Sequence, residues 1–318
     1  MTGGILTLTP NPALDVWTTT REFRKGPKLR CKPPRLDPGG GGINVSRVIH
    51  RLNGETRALF AAGGRTGEEL AEALDREGVQ AQRMPISGVT REVFNVCEEE
   101  TGGVMRFVTP GPTLRPDDVD ALLDLLRRCV VEGSHVVGSG SLPDGAGPDF
   151  WARAAEICRD ADARFLLDSH DGVEPALEKG LFVFRETGDA VSGLAGENVS
   201  WPAGAARWAA ERVDRDEAKA VIVTEGAEGA LLVTAEHRLV QGPPPGVVEK
   251  SAIGAGDSFM GGFSLSLSEG GDWTEALRNG VATAAATLLT PGTELCRKED
   301  VERLVEQCPA PKNLQAVR

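Results

Sequence analysis

The segment Ser251-Ala252-Ile253-Gly254-Ala255-Gly256-Asp257-Ser258-Phe259 joins a turn of small residues to an apolar helical run over residues 259–267. Such a turn leaves backbone N–H groups bare at the positive end of a helix dipole, and together they bind anions such as phosphate. Asp257 lies at the mouth of this anion-binding turn. Two interpretations of its carboxylate are open. It is either a general base for a hydroxyl that attacks phosphorus or a helix cap.

Around this segment, short apolar runs alternate with amphipathic helical runs along most of the chain. The alternation predicts an α/β fold with a doubly wound, mostly parallel sheet, helices on both faces, and ligand sites at the carboxyl ends of the strands. Several polar or glycine-rich positions follow predicted strands: Asp15, residues 39–42, residues 139–141, Asp168, Glu186 and residues 224–229. Their common placement favours Asp257 as a base rather than a cap.

A second glycine-rich turn, Asp37-Pro38-Gly39-Gly40-Gly41-Gly42, precedes another helical pattern. Val45, Val48, Ile49 and Leu52 follow the spacing of one buried helix face. The four glycines allow a ligand to touch the backbone, whereas a flexible linker rarely joins the start of an amphipathic helix. We therefore predict a ligand-contacting turn, with Asn44 in the first helical turn as a hydrogen-bonding candidate.

Two segments interrupt the α/β alternation. Residues 91–98 and 104–108 predict a β-hairpin. With the segment at about 15–36, they predict a small β-sheet lid, formed by about 15–36 and 90–109, on a single domain spanning residues 1–318. Arg91 and Arg106 give this lid positive charge. Seven basic residues and one acid lie between Arg21 and Arg35, which fits either an arm that steers an anionic substrate or a solvated edge strand.

Composition limits the class of protein. The chain has 318 residues, 40% hydrophobic and 26% charged, and its net charge of −12 argues against a nucleic-acid partner. No apolar run reaches membrane-spanning length, and the N-terminal sequence lacks the features of a signal peptide. The six cysteines are scattered without paired spacing. We therefore expect a cytoplasmic enzyme with reduced thiols and no membrane contact.

The two glycine turns together resemble the signatures of the ribokinase-like (PfkB) carbohydrate kinases. The residues are Asp37-Pro38-Gly39-Gly40-Gly41-Gly42-Ile43-Asn44-Val45 and Gly254-Ala255-Gly256-Asp257. Further pieces are similar to the phosphosugar branch of this family, which includes type-B 6-phosphofructokinases, 1-phosphofructokinases and tagatose-6-phosphate kinases. These pieces are Thr7 to Asp15, Lys28 to Cys31, Arg106 to Val108, Gly140 to Pro143, and Gly292-Thr293.

The resemblance, which runs from about Ile5 to Cys296, implies one ribokinase-like domain with a β-lid. Mg-ATP would lie across the C-terminal half and a phosphorylated ketohexose under the lid. The lid would pair two chains into a homodimer, and a monovalent cation would bind near Gly292.

The resemblance also implies roles for single residues. The catalytic group comprises Asp257 as base and Gly254, Ala255 and Gly256 as anion hole. Sugar hydroxyls would be bound by Asp15, Gly40, Gly41 and Asn44. The existing phosphate would be held by Arg91 and by Lys28, the latter from a partner subunit. Nucleotide phosphates would contact Thr224 and Gly226. We add Arg106 and Ser141 to the predicted substrate contacts, and Gly229 and Glu186 to the nucleotide contacts.

One stretch departs from the family. Where the family usually has Lys-Pro-Asn-x-x-Glu, this chain has Phe184-Arg185-Glu186-Thr187-Gly188-Asp189. With a strand over residues 181–184 and a helix after it, Glu186 and Asp189 would share a helix face and orient Mg²⁺-bound water. Glu186 could equally repel the phosphates of the nucleotide. Val93 also replaces an Asn that is common in the phosphosugar branch.

These observations predict an ATP- and Mg²⁺-dependent kinase that phosphorylates the 1-hydroxyl of fructose 6-phosphate. Two alternatives within the enzyme class are a tagatose-6-phosphate kinase and a 1-phosphofructokinase. An alternative from another class is a catalytically impaired regulator that binds a sugar phosphate or a nucleotide.

Overall fold

A computed structural model of the chain describes residues 4–26 and 28–314. Its strands, in chain order, are β1 (Ile5–Thr9), β2 (Ala13–Thr20), β3 (Arg35–Gly39), β4 (Thr56–Ala62), β5 (Ala81–Pro85), β6 (Arg91–Glu98), β7 (Val104–Val108), β8 (His135–Ser139), β9 (Arg164–Asp168), β10 (Leu181–Thr187), β11 (Ala218–Thr224), β12 (Ala230–Thr234), β13 (Arg238–Gln241) and β14 (Lys312–Asn313). Its α-helices are α1 (Gly41–Arg51), α2 (Gly64–Arg76), α3 (Pro116–Cys129), α4 (Phe150–Asp160), α5 (Val173–Leu177), α6 (Gly188–Ala195), α7 (Ala203–Asp214), α8 (Ala255–Ser268), α9 (Trp273–Leu288) and α10 (Lys298–Gln307). A short 3₁₀ helix spans Gly226–Glu228.

The larger sheet has ten strands in the order β14-β13-β12-β11-β10-β9-β8-β1-β4-β5. The strands from β11 to β5 in this order are parallel to their neighbours, and β12, β13 and β14 extend one edge in antiparallel fashion. Parallel strands need crossover connections, which here are helices that cover the sheet. The predicted fold class, a mostly parallel doubly wound sheet, is confirmed.

Both faces of this sheet are buried, because successive side chains of a strand point to opposite sides. Val221 and Val223 of β11 pack with Phe184 into the apolar cluster on one face. Ile222 packs with Phe259 of α8 into the cluster on the other face. The central strands are therefore continuous apolar runs, and polar side chains collect at their ends.

A second sheet has four strands in the order β3-β2-β6-β7. It consists of the β6–β7 hairpin, whose bounds match the predicted 91–98 and 104–108, together with β2 and β3. Between β2 and β3 the basic segment is an exposed loop, and its described residues form no strand beyond a single bridge from Thr20 to Cys31. The edge-strand interpretation of this segment is therefore wrong.

Two predicted boundaries also need correction. β10 continues through Thr187, three residues beyond the predicted end, so no helix begins at Glu186. Helix α1 begins at Gly41, so two of the four glycines lie inside it. Within the described part of the chain, no helix has the length and apolar content needed to cross a membrane.

Candidate active site

Asp257 lies in the first turn of α8, near Asp168 at the end of β9 and Arg185 on β10. Gly254 precedes the helix with φ of 78°, a left-handed conformation that favours glycine. A Cβ at position 254 would also lie 2.7 Å from Leu295 Cδ2. Because Gly254, and not Asp257, occupies the capping position, the helix-cap interpretation of Asp257 does not hold.

A chain of hydrogen bonds fixes the orientation of Asp257. Asn44 Nδ2 donates to Asp257 Oδ2 at 2.8 Å. Arg47 Nη1 donates in turn to Asn44 Oδ1 at 3.1 Å, and Arg47 Nη2 donates to Glu77 Oε1 at 2.7 Å. Since its oxygen is occupied by Arg47, the Asn44 amide presents its NH₂ group to the carboxylate. Asn44 was predicted as a hydrogen-bonding residue, whereas Arg47 was not identified from the sequence.

The charge state of Asp257 follows from its surroundings. Burial raises the pKa of its carboxyl from 3.8 to about 7, and the negative charge of Asp168 adds to this rise. The hydrogen bond from Asn44 and the charge of Arg185 lower the pKa in the opposite direction. A carboxyl with a pKa near neutrality can accept a proton from a hydroxyl and release it again.

Arg185 and Asp168 form a buried ion pair next to Asp257. Arg185 Nη1 donates to Asp168 Oδ1 at 2.8 Å, and Arg185 Nη2 donates to Thr224 Oγ1 at 2.6 Å. Asp168 was predicted to lie at the functional edge of the sheet, but Arg185 was missed. The sequence did offer one sign of its importance, because Arg185 lies in the stretch from Phe184 to Asp189 that departs from the pattern of the resembling family.

The structure corrects the predicted placement of Glu186 on a helix face shared with Asp189. Glu186 is a buried residue of β10, and its Oε2 lies 2.8 Å from Nδ1 of His170, which is exposed and was not identified from the sequence. The backbone N–H of Thr187 donates to the same oxygen at 3.1 Å. Asp189 is exposed in the first turn of α6, so the two acids share no helix face. Glu186 does not line the cavity described next.

A cavity of about 580 Å³ opens beside the anion-binding turn. It brings together four predicted nucleotide or metal residues, Thr224, Gly226, Gly229 and Asp189, with Ala255 and Gly256 of the turn. Phe259, Val281 and Leu288 provide apolar walls, and Glu225 and Glu249 add two carboxylates to that of Asp189. Small-molecule sites are typically cavities of this size with apolar walls and a few polar groups.

On the other side of Asp257, the second sheet contributes Asp15. Asp15 is buried on β2, and a Cβ at position 39 would lie 2.4 Å from its Oδ2. Burial raises the pKa of Asp15 to about 6, while the positive charges of Arg106, Arg47 and Arg91 lower it. The absence of a side chain at Gly39 thus allows the end of β3 to approach Asp15 closely.

The other residues predicted on this side lie around the same edge. A Cβ at position 40 would contact Pro12 and one at position 41 would contact Ser139, so both glycines are packed closely. Ser141 accepts a hydrogen bond from Asn11 at 3.1 Å. Gly40 and Gly41 thus lie against the ends of β1 and β8, and Ser141 lies beside Asn11.

Two lid arginines act electrostatically on Asp15. Arg91 donates to the carbonyl oxygen of Asn11 at 3.1 Å, and its buried Nε has no partner in the described part of the chain. Arg106 is exposed, and its Nε donates to Asn95 Oδ1 at 3.0 Å. Both guanidiniums therefore keep donors available for an anion above Asp15.

Lys28 is the one predicted substrate residue that is not brought to the site. It is exposed in the loop between β2 and β3 and does not line the cavity. Within that loop Arg21 pairs with Glu100, Arg24 with Glu22, and Lys32 with Glu99. Among the described residues, Lys28 makes no salt bridge, so its charge remains available to a ligand or to a second chain.

The chain matches the model of the pfkB family carbohydrate kinases over residues 12–300. It is 40% identical over 309 residues to the ATP-dependent 6-phosphofructokinase isozyme 2 of Mycobacterium tuberculosis, covering 96% of this chain and 90% of that protein. It is 32% identical over 304 residues to the 1-phosphofructokinase of Bacillus subtilis, covering 95% and 98%.

The fold agrees with solved structures of phosphofructokinase-2 from Escherichia coli, which is 35% identical. The structure in complex with substrates and products has a TM-score of 0.90 and covers 95% of this chain and 98% of that chain. The structure in complex with potassium has a TM-score of 0.92 and covers 96% and 99%. The chain is thus a sugar kinase, and it belongs to the pfkB family of carbohydrate kinases.

Proposed function

We propose that this kinase transfers the γ-phosphoryl group of ATP to the 1-hydroxyl of fructose 6-phosphate, a reaction of glycolysis. One observation carries the proposal. Asp257, with a pKa of about 7, lies at a helix N-terminus between a nucleotide-sized cavity and the polar edge around Asp15. Relatives named 6-phosphofructokinase support the choice of acceptor.

In this reaction Asp257 accepts the proton of the attacking hydroxyl. The hydroxyl oxygen bonds to the γ-phosphorus as the bond from that phosphorus to the β,γ-bridging oxygen breaks, and ADP leaves with the electron pair. The first-turn N–H groups of Ala255 and Gly256, with the helix dipole, stabilise negative charge on the group in transit. Asn44 holds Asp257 in line with the hydroxyl.

The sugar phosphate that accepts the phosphoryl group would bind on the side of Asp257 that faces the second sheet. Asp15, Asn44 and the backbone of Gly40 and Gly41 would hydrogen-bond the sugar hydroxyls, with Ser141 at the rim. Arg91, Arg106 and Lys28 would bind the 6-phosphate. Two guanidiniums with free donors above a buried carboxylate suit a ligand with hydroxyls at one end and a phosphate at the other.

On the nucleotide side, Thr224, Gly226 and Gly229 would contact the phosphates, and the apolar walls would hold the base. The residues present fit Mg²⁺, because Asp189 and Glu225 put two carboxylates on the cavity wall and Mg²⁺ in such sites relies on phosphates and one or two carboxylates. Bound Mg²⁺ would neutralise phosphate charge. Glu186 has no part in this proposal.

We extend the proposal to a monovalent cation at the loop around Gly292, since the Escherichia coli relative was solved with potassium. The carbonyl oxygen of Gly292 already accepts from buried Ser251 at 3.1 Å, next to the anion-binding turn. Turnover in potassium should exceed turnover in tetramethylammonium.

We also propose a cytoplasmic location, where ATP and sugar phosphates are found, and a homodimer formed through the lid.

ADP release from Mg-ATP tests the acceptor, with fructose 6-phosphate, tagatose 6-phosphate, fructose 1-phosphate, fructose and ribose as substrates. We expect the highest kcat/KM with fructose 6-phosphate, and a loss of about 10²–10⁴-fold in Asp257→Asn. Preference for fructose 1-phosphate would instead support the second candidate, a 1-phosphofructokinase, which the Bacillus subtilis relative favours. Absence of turnover with every sugar, with ATP binding intact, would refute the proposal.

A further inference from the structure

A buried cation lies beside the glycine turn that precedes Asp257. Arg185 has only 8% of its surface exposed. A Cβ at position 256 would stand 3.1 Å from its Nη1 and 3.2 Å from its Nη2. The guanidinium also lines the cavity that contains Thr224 and Gly226. It therefore lies where the nucleotide cavity meets the anion-binding turn.

Arg185 has N–H donors that its hydrogen bonds within the protein do not use. Its Nη1 donates to Asp168 and its Nη2 donates to Thr224, and a guanidinium carries more N–H donors than these two bonds use. Its Nε is buried and has no acceptor among the residues that the structure describes. A buried donor without an acceptor is costly unless a ligand supplies one. The arrangement therefore suits an anionic ligand at this point.

Strand geometry explains why the cation points into the site. Neighbouring side chains on β10 alternate between the two faces of the sheet. Phe184 packs into the core against Trp208, and Glu186 turns to His170. Arg185, between them, faces α8 and Asp257. The family pattern has Pro where this chain has Arg185, so the family motif does not supply this cation.

We propose that Arg185 is a catalytic residue that contacts the phosphoryl group as it passes from ATP to the acceptor hydroxyl. The inference rests on the phosphoryl transfer proposed above. As the new oxygen–phosphorus bond forms and the bond to ADP breaks, charge spreads over the equatorial oxygens of the phosphoryl group. The planar fork of an arginine can bind two such oxygens at once. Because this guanidinium is already fixed in place, it stabilises that charge without reorganising.

The competing explanation is a purely structural ion pair. Asp168 also accepts from Ser139 Oγ at 3.2 Å, so the pair could serve only to tie β8, β9 and β10 together. Removing Arg185 alone would leave Asp168 buried without its cation, and such a variant can fail to fold. The test must therefore remove the cation in a background where the carboxylate is already neutral.

The test compares Asp168→Asn with Asp168→Asn/Arg185→Met, with ADP release measured on Mg-ATP and fructose 6-phosphate. The two variants differ only in the cation, and because its charge also lowers the pKa of Asp257, their kcat values are compared on the plateau at pH above that pKa. We expect similar melting temperatures and similar KM for the sugar, but a kcat lower by about 10²–10³-fold in the double variant. In the same Asp168→Asn background, Arg185→Lys should give a kcat between those of the two variants, because lysine keeps the positive charge but lacks the planar guanidinium. Guanidinium ion added to Asp168→Asn/Arg185→Ala should restore part of the rate.

The outcomes separate this inference from the proposed function. If the wild-type protein turns over no acceptor, both proposals fall. If the wild type is active and the two variants have kcat values within about threefold of each other, the ion pair is structural and only the role of Arg185 is refuted. A failure of guanidinium ion to raise the rate of a stably folded double variant would also count against it.

Discussion

Asp257 accepts a proton only when its carboxyl is ionised, so its pKa sets the acid side of the rate profile. Burial raises this pKa to about 7, and the hydrogen bond from Asn44 lowers it. We therefore expect kcat to rise with pH through about 7 and then to level. Asn44→Leu removes the lowering contribution, so the midpoint should move to higher pH. Measurement of kcat against pH for both proteins checks this, and an unchanged midpoint would contradict it.

The raised pKa of Asp257 also predicts that the ionised carboxylate destabilises the folded protein. The folded state binds the proton of Asp257 more tightly than the unfolded chain, since the pKa rises from 3.8 to about 7. The free energy of unfolding therefore falls as pH rises through this window. Asp257→Asn lacks this cost and should be more stable than the wild type at pH values above the window. The gain is at most about 1.4 kcal/mol for each tenfold difference in proton affinity between the folded and unfolded states.

Thermal unfolding at mildly acidic and mildly alkaline pH checks this second prediction. The advantage of Asp257→Asn should shrink at the acidic end, where the wild-type carboxyl is protonated in the folded state although still ionised in the unfolded chain. Asp214→Asn, which changes an exposed carboxyl at the end of α7, should follow the wild type at every pH. Equal gains from the two variants would show that the effect is unrelated to burial of Asp257.

At the residue scale, the sequence predicted the positions that follow strands but not the direction of every side chain. Asp257, Asn44 and Asp15 are brought together because glycine turns fix the start of α8 and α1. Arg185 and Glu186 were misjudged because the end of β10 was placed three residues early. Successive side chains of a strand point to opposite faces of the sheet. The face of Arg185 or Glu186 therefore cannot be assigned unless the strand is known to extend that far.

At the scale of elements, Arg47 links α1 to α2 and to the site. Its side chain is 1% exposed and pairs with Glu77, which follows α2, while also donating to Asn44 and to the carbonyl of Pro38. Arg47→Met leaves the buried oxygens of Asn44 and Pro38 without a donor, and each should cost about 1–3 kcal/mol of stability. Urea unfolding should show this loss, and the kcat of the remaining folded protein should also fall because Asn44 loses its orientation.

A surface pair provides the matched control for Arg47. Arg76 on α2 pairs with Glu69, but its side chain is 64% exposed. Arg76→Met should change stability by less than about 1 kcal/mol, because solvent screens such a pair, and should leave kcat unchanged. Similar losses from Arg47→Met and Arg76→Met would contradict the proposed link from α2 to Asn44.

The bounds of the β6–β7 hairpin were predicted correctly, whereas the start of α1 was not. The β6–β7 hairpin has alternating side chains and a Gly-Gly turn, and its bounds were correct. Helix α1 begins two residues before the predicted Ile43, inside the glycine run. Glycine has low intrinsic helix propensity. Here the helix starts there because the closely packed backbone near Thr9 and Ser139 leaves room only for glycine.

At the scale of the whole molecule, the second sheet presents an apolar row to solvent. Leu36, Phe94 and Phe107 lie in register across it, with Val16 between the first two, and all three are more than a third exposed. This row could not be read from the sequence, because it depends on the register of four strands. Burial against a second chain would remove it from water, which supports the proposed dimer through the lid.

Lys28 and Asp257 allow a test of whether one active site is built from two chains. If Lys28 acts in the partner's site, a mixture of Lys28→Ala and Asp257→Asn chains forms hybrid dimers in which one of the two sites is intact. After equal mixing and re-equilibration, activity on fructose 6-phosphate should reach about a quarter of the wild-type value, well above either variant alone. Phe107→Glu, placed in both chains, should give monomers by light scattering and abolish this recovery. If mixing restores nothing although the chains do dimerise, Lys28 serves its own subunit or no site at all.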